Sequence, residues 1–197
     1  MGMRWLVGFW FLWLQVAAAT SVREAGLDEM LRNSELVFRG QVSGSEIRDD
    51  GPRPYTRVTF RVEAIIKGDY DGDTLSLDFA GAPARGLRVD EMRYPQPGER
   101  GIYFVESLRR RQANPLYGWS QGHFRIVVRN GRAVVVGGDG KPVVAVTGSP
   151  KGENGARWAL SRGVPKGVRT ESRAWDRGLT PVQFEDLLRQ RLEALQP

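Results

Sequence analysis

The chain has no cysteine and only one histidine among its 197 residues. The first absence excludes disulfide staples, thiol nucleophiles, cysteine-ligated zinc and a lipid-modified amino-terminal cysteine. The second leaves His123 as the sole imidazole base for nucleophilic catalysis and makes a zinc site dependent on an unusual carboxylate-rich set. No phosphate-cradling glycine motif is present either. Gly137, Gly138, Asp139 and Gly140 lie between strand-like segments and lack the following helix whose dipole would hold a phosphate. No apolar run reaches the roughly 20 residues that a spanning helix needs.

What is present begins with a leader-like layout. Arg4 precedes an apolar run over 5–14, and Ala17, Ala18 and Ala19 follow. This is the pattern of an export signal with small-residue cleavage after Ala19, so residues 1–19 are expected to be removed. The expected product is periplasmic or secreted, with no stable membrane anchor. The remaining chain of about 178 residues is long enough to bury a core without disulfides. The formal charge of the whole chain is +6. Seven basic and three acidic residues fall within 148–178, a local net of +4, in a stretch rich in Gly and Ser and poor in aliphatic residues. That composition predicts an extended basic loop or linker.

Between these ends the pattern is mainly β. Residues 22–33 carry Leu27, Met30 and Leu31 at helical spacing, which predicts a short amphipathic helix. A strand follows from Glu35, with Gly40 marking a bend or bulge. The next strand, YTRVTFRVEAIIKG, alternates with a period of two: Val58, Phe60, Val62, Ala64 and Ile66 face inward and Arg57, Thr59, Arg61 and Glu63 outward, with Ile65 an exception. A third strand is expected over 75–79. Residues 80–97 read as a long crossing loop, with one helical turn near 89–93, that ends in a Pro97-Gly98 type II turn.

Residues 102–105, IYFV, are apolar on both sides, as in a strand covered on two faces. A long strand is predicted over 117–129, with Phe124, Ile126 and Val128 inward and His123, Arg125 and Arg129 outward. Asn130-Gly131 predicts a type I′ hairpin turn, and strands over 133–136 and 143–146 complete an expected three-stranded meander. Thr180 as N-cap, Pro181 at the first helical position and Gln183 closing a capping box announce a final helix. Its stripe of Phe184, Leu187, Leu188, Leu192 and Leu195 is expected to pack on its own domain.

The succession SELVFRGQV, YTRVTFRVEAIIKG, PGERGIYFV and YGWSQGHFRIV resembles a group of exported bacterial proteins whose barrel is similar to the OB-fold of netrin-like modules and tissue inhibitors of metalloproteinases. The resemblance covers roughly residues 34–128. It implies a closed or partly open OB-like antiparallel barrel, which with the N-terminal helix is expected over 20–147; the residues themselves predict the basic stretch 148–178 and a C-terminal amphipathic helix over 179–197. The inhibitors present an amino-terminal cysteine to a protease zinc. This chain has none, so that mechanism does not transfer.

The residues select no catalytic set and call for no cofactor or metal. Asp69-Tyr70-Asp71-Gly72-Asp73 has the look of a calcium loop, but its glycine is fourth rather than sixth and Ala80 stands where a glutamate is needed, so a solvated turn is expected. The leading functional reading is a non-enzymatic, extracytoplasmic binding module that meets a protein, such as a secreted protease, or an anionic envelope polymer, and not nucleic acid. Aromatic and basic strand residues suit such a surface: the candidates are Arg57, Arg61, Tyr103, Trp119, His123 and Arg125. The alternative is a small hydrolase using carboxylates of the 80–97 loop, Asp90 and Glu91, with nearby Asp78.

Overall fold

A computed structural model describes residues 23–148 and 161–196. The expected export signal over 1–19 and the first part of the basic stretch lie outside these residues. Helix α1 (Leu27–Asn33) leads into β1 (Leu36–Arg48), β2 (Tyr55–Lys67), β3 (Thr74–Ala80), β4 (Arg100–Val105), β5 (His123–Arg129) and β6 (Arg132–Val136). These strands form one antiparallel sheet in the order β3-β2-β1-β4-β5-β6.

Of the expected closed or partly open barrel, the mainly β antiparallel sheet is present, but it does not close. Both outer strands are engaged by irregular chain instead of by each other: Ala80 donates its N–H to Ala113 O at 2.8 Å, and Val135 donates to Leu179 O at 2.9 Å. An edge covered in this way has no need of closure. The meander is corrected too. β7 (Val143–Val146) leaves the main sheet and pairs with β8 (Val168–Thr170), joined to β6 only by a bridge from Val136 to Pro142. The basic stretch, where described from Ser161 onward, contains β8 and the fully buried Ala174. It is tied to the helix entry by Leu27 N–H to Lys166 O at 2.8 Å.

Both faces of the sheet are buried over part of their area. On one, α1 and α2 (Pro181–Leu195) cover Val37, Ile66, Phe104 and Phe124, with Phe184 and Leu188 inserted from α2. The capping box of α2 forms as its sequence requires. Asp28 of α1 takes a two-pronged ion pair from Arg191 of α2, at 2.7 and 2.6 Å. On the other face, Phe38, Phe60, Leu77, Phe79 and Tyr103 form a second core, roofed by Met92 and Tyr94 from the 81–99 loop.

The register explains the exception at Ile65. β1 and β2 slip between Arg39 and Gly40 and again between Val37 and Phe38. Each slip exchanges the faces that follow it. Val58 and Phe60 therefore serve the second core, Ile65 joins them there, and Ile66 crosses to the helix-covered side.

Turn geometry follows the residues at two points. Glu99 N–H reaches Gln96 O at 2.9 Å, closing a turn in which Gly98 takes φ 83°. Asn130 and Gly131 take φ 51° and 75°, the left-handed pair of a type I′ hairpin. Residues 117–122 depart from the predicted strand and form a 3-10 turn over Trp119–Gly122. There Gln121 accepts from Ala25 N–H at 2.8 Å and donates to Arg23 O at 2.9 Å, which ties the turn to the chain entering α1. Among the described residues no helix is long and apolar enough to cross a membrane.

Candidate functional site

The six candidate binding residues divide into three groups. Arg57 and Arg61 lie on the charged, uncovered part of the helix side of the sheet, where they are absorbed into ion pairs. Arg57 donates to both carboxylate oxygens of Asp78, at 2.7 and 3.0 Å, which raises its pKa through that bond. Arg61 donates to Gln41 Oε1 at 2.7 Å and lies 3.7 Å from Glu63. Glu63 is shared further with Arg39 at 3.2 Å and Arg100 at 2.7 Å, and Arg39 also pairs with Glu185 of α2. Trp119 stands apart, packed in part against the second core.

Tyr103, His123 and Arg125 are brought together beneath the 81–99 loop, and here the expectation for His123 is overturned. It is 1% exposed rather than outward and solvated. Its strand pairs Tyr103 with His123, so the imidazole lands on the same buried face as Tyr103 and stacks on it, with centroids 4.8 Å apart. Tyr103 is itself stacked on Phe38 at 5.2 Å and met edge-on by Phe60 at 4.7 Å, and it too is wholly buried. The legible signal was IYFV. A strand covered on both sides obliges its neighbour to be covered as well.

His123 Nε2 lies 2.7 Å from Glu99 Oε1, a residue the sequence reading passed over. The contact is close but not aligned. Both ring nitrogens, Glu99 Oε1, Tyr103 Oη and Arg125 Nε are buried without an aligned hydrogen-bond partner. Burial lowers the pKa of His123 despite the nearby carboxylate, which favours the neutral imidazole. Burial acts to raise that of Glu99, but His123, Arg93 and Arg125 outweigh it and hold the carboxyl below its usual range. The Tyr103 phenol is raised by burial and by Glu99.

The other carboxylate oxygen of Glu99 faces Arg93, at 3.6 Å. Arg93 forms part of the wall of a cavity of about 640 Å³, together with Arg88, Glu91, Ser120 and Arg162. A line of contacts thus runs from the aromatic core to that wall: Phe38, Tyr103, His123, Glu99, Arg93. Arg93 is pulled below its ordinary pKa by burial, with Glu99 opposing and Arg125 adding repulsion. A desolvated guanidinium beside a like charge gains from a further anion. Arg88 and Arg162 are exposed and have no carboxylate within ion-pair reach among the described residues. Backbone strain gathers here as well. Glu91 lines the cavity, Trp119 directly precedes its Ser120, and both take φ 60°. Non-glycine residues held in that region tend to mark functional sites.

The carboxylates expected for hydrolysis are not assembled. Asp78 is engaged by Arg57 and lines a separate cavity with Tyr55 and Arg111, whereas Glu91 lines the arginine cavity. Asp90 and Glu91 are exposed. Among the described residues no group of three His, Asp or Glu side chains is placed to hold a metal ion. No protein family, curated protein or solved structure matches the chain.

Proposed function

We propose that the protein is an exported, non-enzymatic binding module for an anionic partner, an acidic polymer of the envelope, engaged through the arginine cavity. The observation that carries this reading is the contrast within the cavity wall. Arg93 is fixed from behind by Glu99, while Arg88 and Arg162 stand in solvent with no carboxylate of their own among the described residues. Guanidinium groups left free in a concave, strained site offer forked donors to carboxylate or phosphate oxygens. The buried imidazole contributes position, not proton transfer: stacked on Tyr103, it fixes Glu99, which aims Arg93. The leader-like residues 1–19 supply the compartment, and the OB-like part of the reading is supported by a sheet whose central β1 pairs with both β2 and β4.

Titration with poly-glutamate and with heparin, each at low ionic strength, tests the reading. Saturable binding that weakens by about tenfold or more in Arg88→Ala/Arg162→Ala is expected. Absence of binding to both probes, or binding indifferent to that double substitution, would overturn it.

A further inference from the structure

A second basic cleft, of about 500 Å³, lies at the turn between β5 and β6, lined by Arg129, Asn130, Arg132, Arg173, Trp175 and Asp176. Arg129 holds its guanidinium over the Trp175 ring, 5.0 Å from the centroid. Arg132 is anchored by donating to Gly178 O at 3.0 Å. The type I′ turn fixes the backbone between these two arginines. Arg129, Arg132 and Arg173 are exposed and have no carboxylate within ion-pair reach among the described residues, so three cations face one acid, Asp176.

We propose that this cleft binds an acidic glycan, with a sugar ring packed on Trp175 and sugar carboxylates held by Arg129, Arg132 and Arg173. The residue types select that class. Guanidinium forks match carboxylates, and an indole offers a rigid, largely apolar platform that suits a sugar ring, whose faces carry C–H groups. Trp175 is half-buried and lines the cleft, with Arg129 held against its ring. A ligand recognised by charge alone, such as polyphosphate, would leave the indole without a role.

The cleft is separate from the arginine cavity. The cavity is lined at Ser120 and Gly138, at the far ends of β5 and β6, and seven residues of strand separate the two sites by roughly 20 Å. The proposal rests on the reading of the protein as a module for anionic polymers, but it stands on different residues and is tested apart from it.

The test is a titration of the protein with hexagalacturonate followed by NMR at the Trp175 indole N–H, identified by its loss in Trp175→Phe. A saturable shift is expected, weakened about tenfold or more in Arg129→Ala/Arg173→Ala and unchanged in Arg88→Ala/Arg162→Ala. No shift would overturn the proposal. So would an equal response to inorganic polyphosphate of matched charge, which would mean recognition of charge alone, or loss of the shift in the cavity variant, which would mean a single shared site. Loss of poly-glutamate binding in the cavity variant with the indole response intact keeps both readings. Poly-glutamate binding retained in the cavity variant, with the indole response intact, removes the cavity reading only.

Discussion

Arginines do two kinds of work in this molecule. Along the sheet, Arg39, Arg57, Arg61 and Arg100 each stand within 4 Å of Asp78, Glu63 or Glu185. In the turns and at strand ends, Arg88, Arg162, Arg129 and Arg173 have no such partner among the described residues and line concave surfaces. The difference teaches where to look for a partner. Paired charge is architecture, whereas unpaired charge on a concave surface is available to something else. The same residue type therefore predicts opposite phenotypes in the two places.

The comparison breaks most visibly at its buried ionic joints. Asp28→Ala would leave Arg191 without its two-pronged partner; the Asp28 side chain is 6% exposed and that of Arg191 31%. Losing charge-assisted hydrogen bonds at a part-buried site costs about 1.5–3 kcal/mol. Chemical denaturation should show a loss of that order, and a loss below about 1 kcal/mol would place the joint with ordinary surface pairs.

A smaller effect sharpens the role of the buried imidazole. Its folded pKa lies below the value of about 6.5 that the unfolded chain has. Below that value the unfolded state takes up the proton first, so His123 removes stability as pH falls. Glu99 is also depressed, and its contribution is present above its unfolded pKa and lost as pH falls through the folded value. The protein should lose stability on acidification in two stages, one starting near pH 6.5 and one below about 4.5. His123→Gln should erase the first stage and keep the second. A melting profile of that variant that still falls between pH 6.5 and 5 would contradict the assignment.

Much of the fold was legible, and the failures have two causes. The alternation in β2 as far as Val62, the Asn130-Gly131 turn and the capping box of α2 depend on residues adjacent in sequence, and each formed as read. Alternation also assumes that one face of a strand meets water. That assumption fails at His123, whose outward side is roofed by chain from the 81–99 loop and stacked on Tyr103. A separate assumption, of unbroken register, fails at Ile65 and Ile66, where two register slips exchange the faces. The candidate site was less legible. Arg88, Arg93 and Arg162 are far apart in the chain, and only the fold brings them to one cavity. Arg57 and Arg61 looked equally promising, because nothing in a sequence says which cation will find Asp78 or Glu63 across a strand.

The most direct measurement is the salt dependence of poly-glutamate binding in three proteins: wild type, the cavity variant Arg88→Ala/Arg162→Ala and the sheet variant Arg57→Ala/Arg61→Ala. Each cation that engages the polymer steepens the fall of log affinity with log salt. The account predicts a shallower slope and weaker binding in the cavity variant, with the sheet variant retaining the wild-type slope and losing only about 1 kcal/mol or less per exposed pair in stability. A wild-type slope in the cavity variant, together with a reduced one in the sheet variant, would show that the paired arginines are the binding surface and would contradict it.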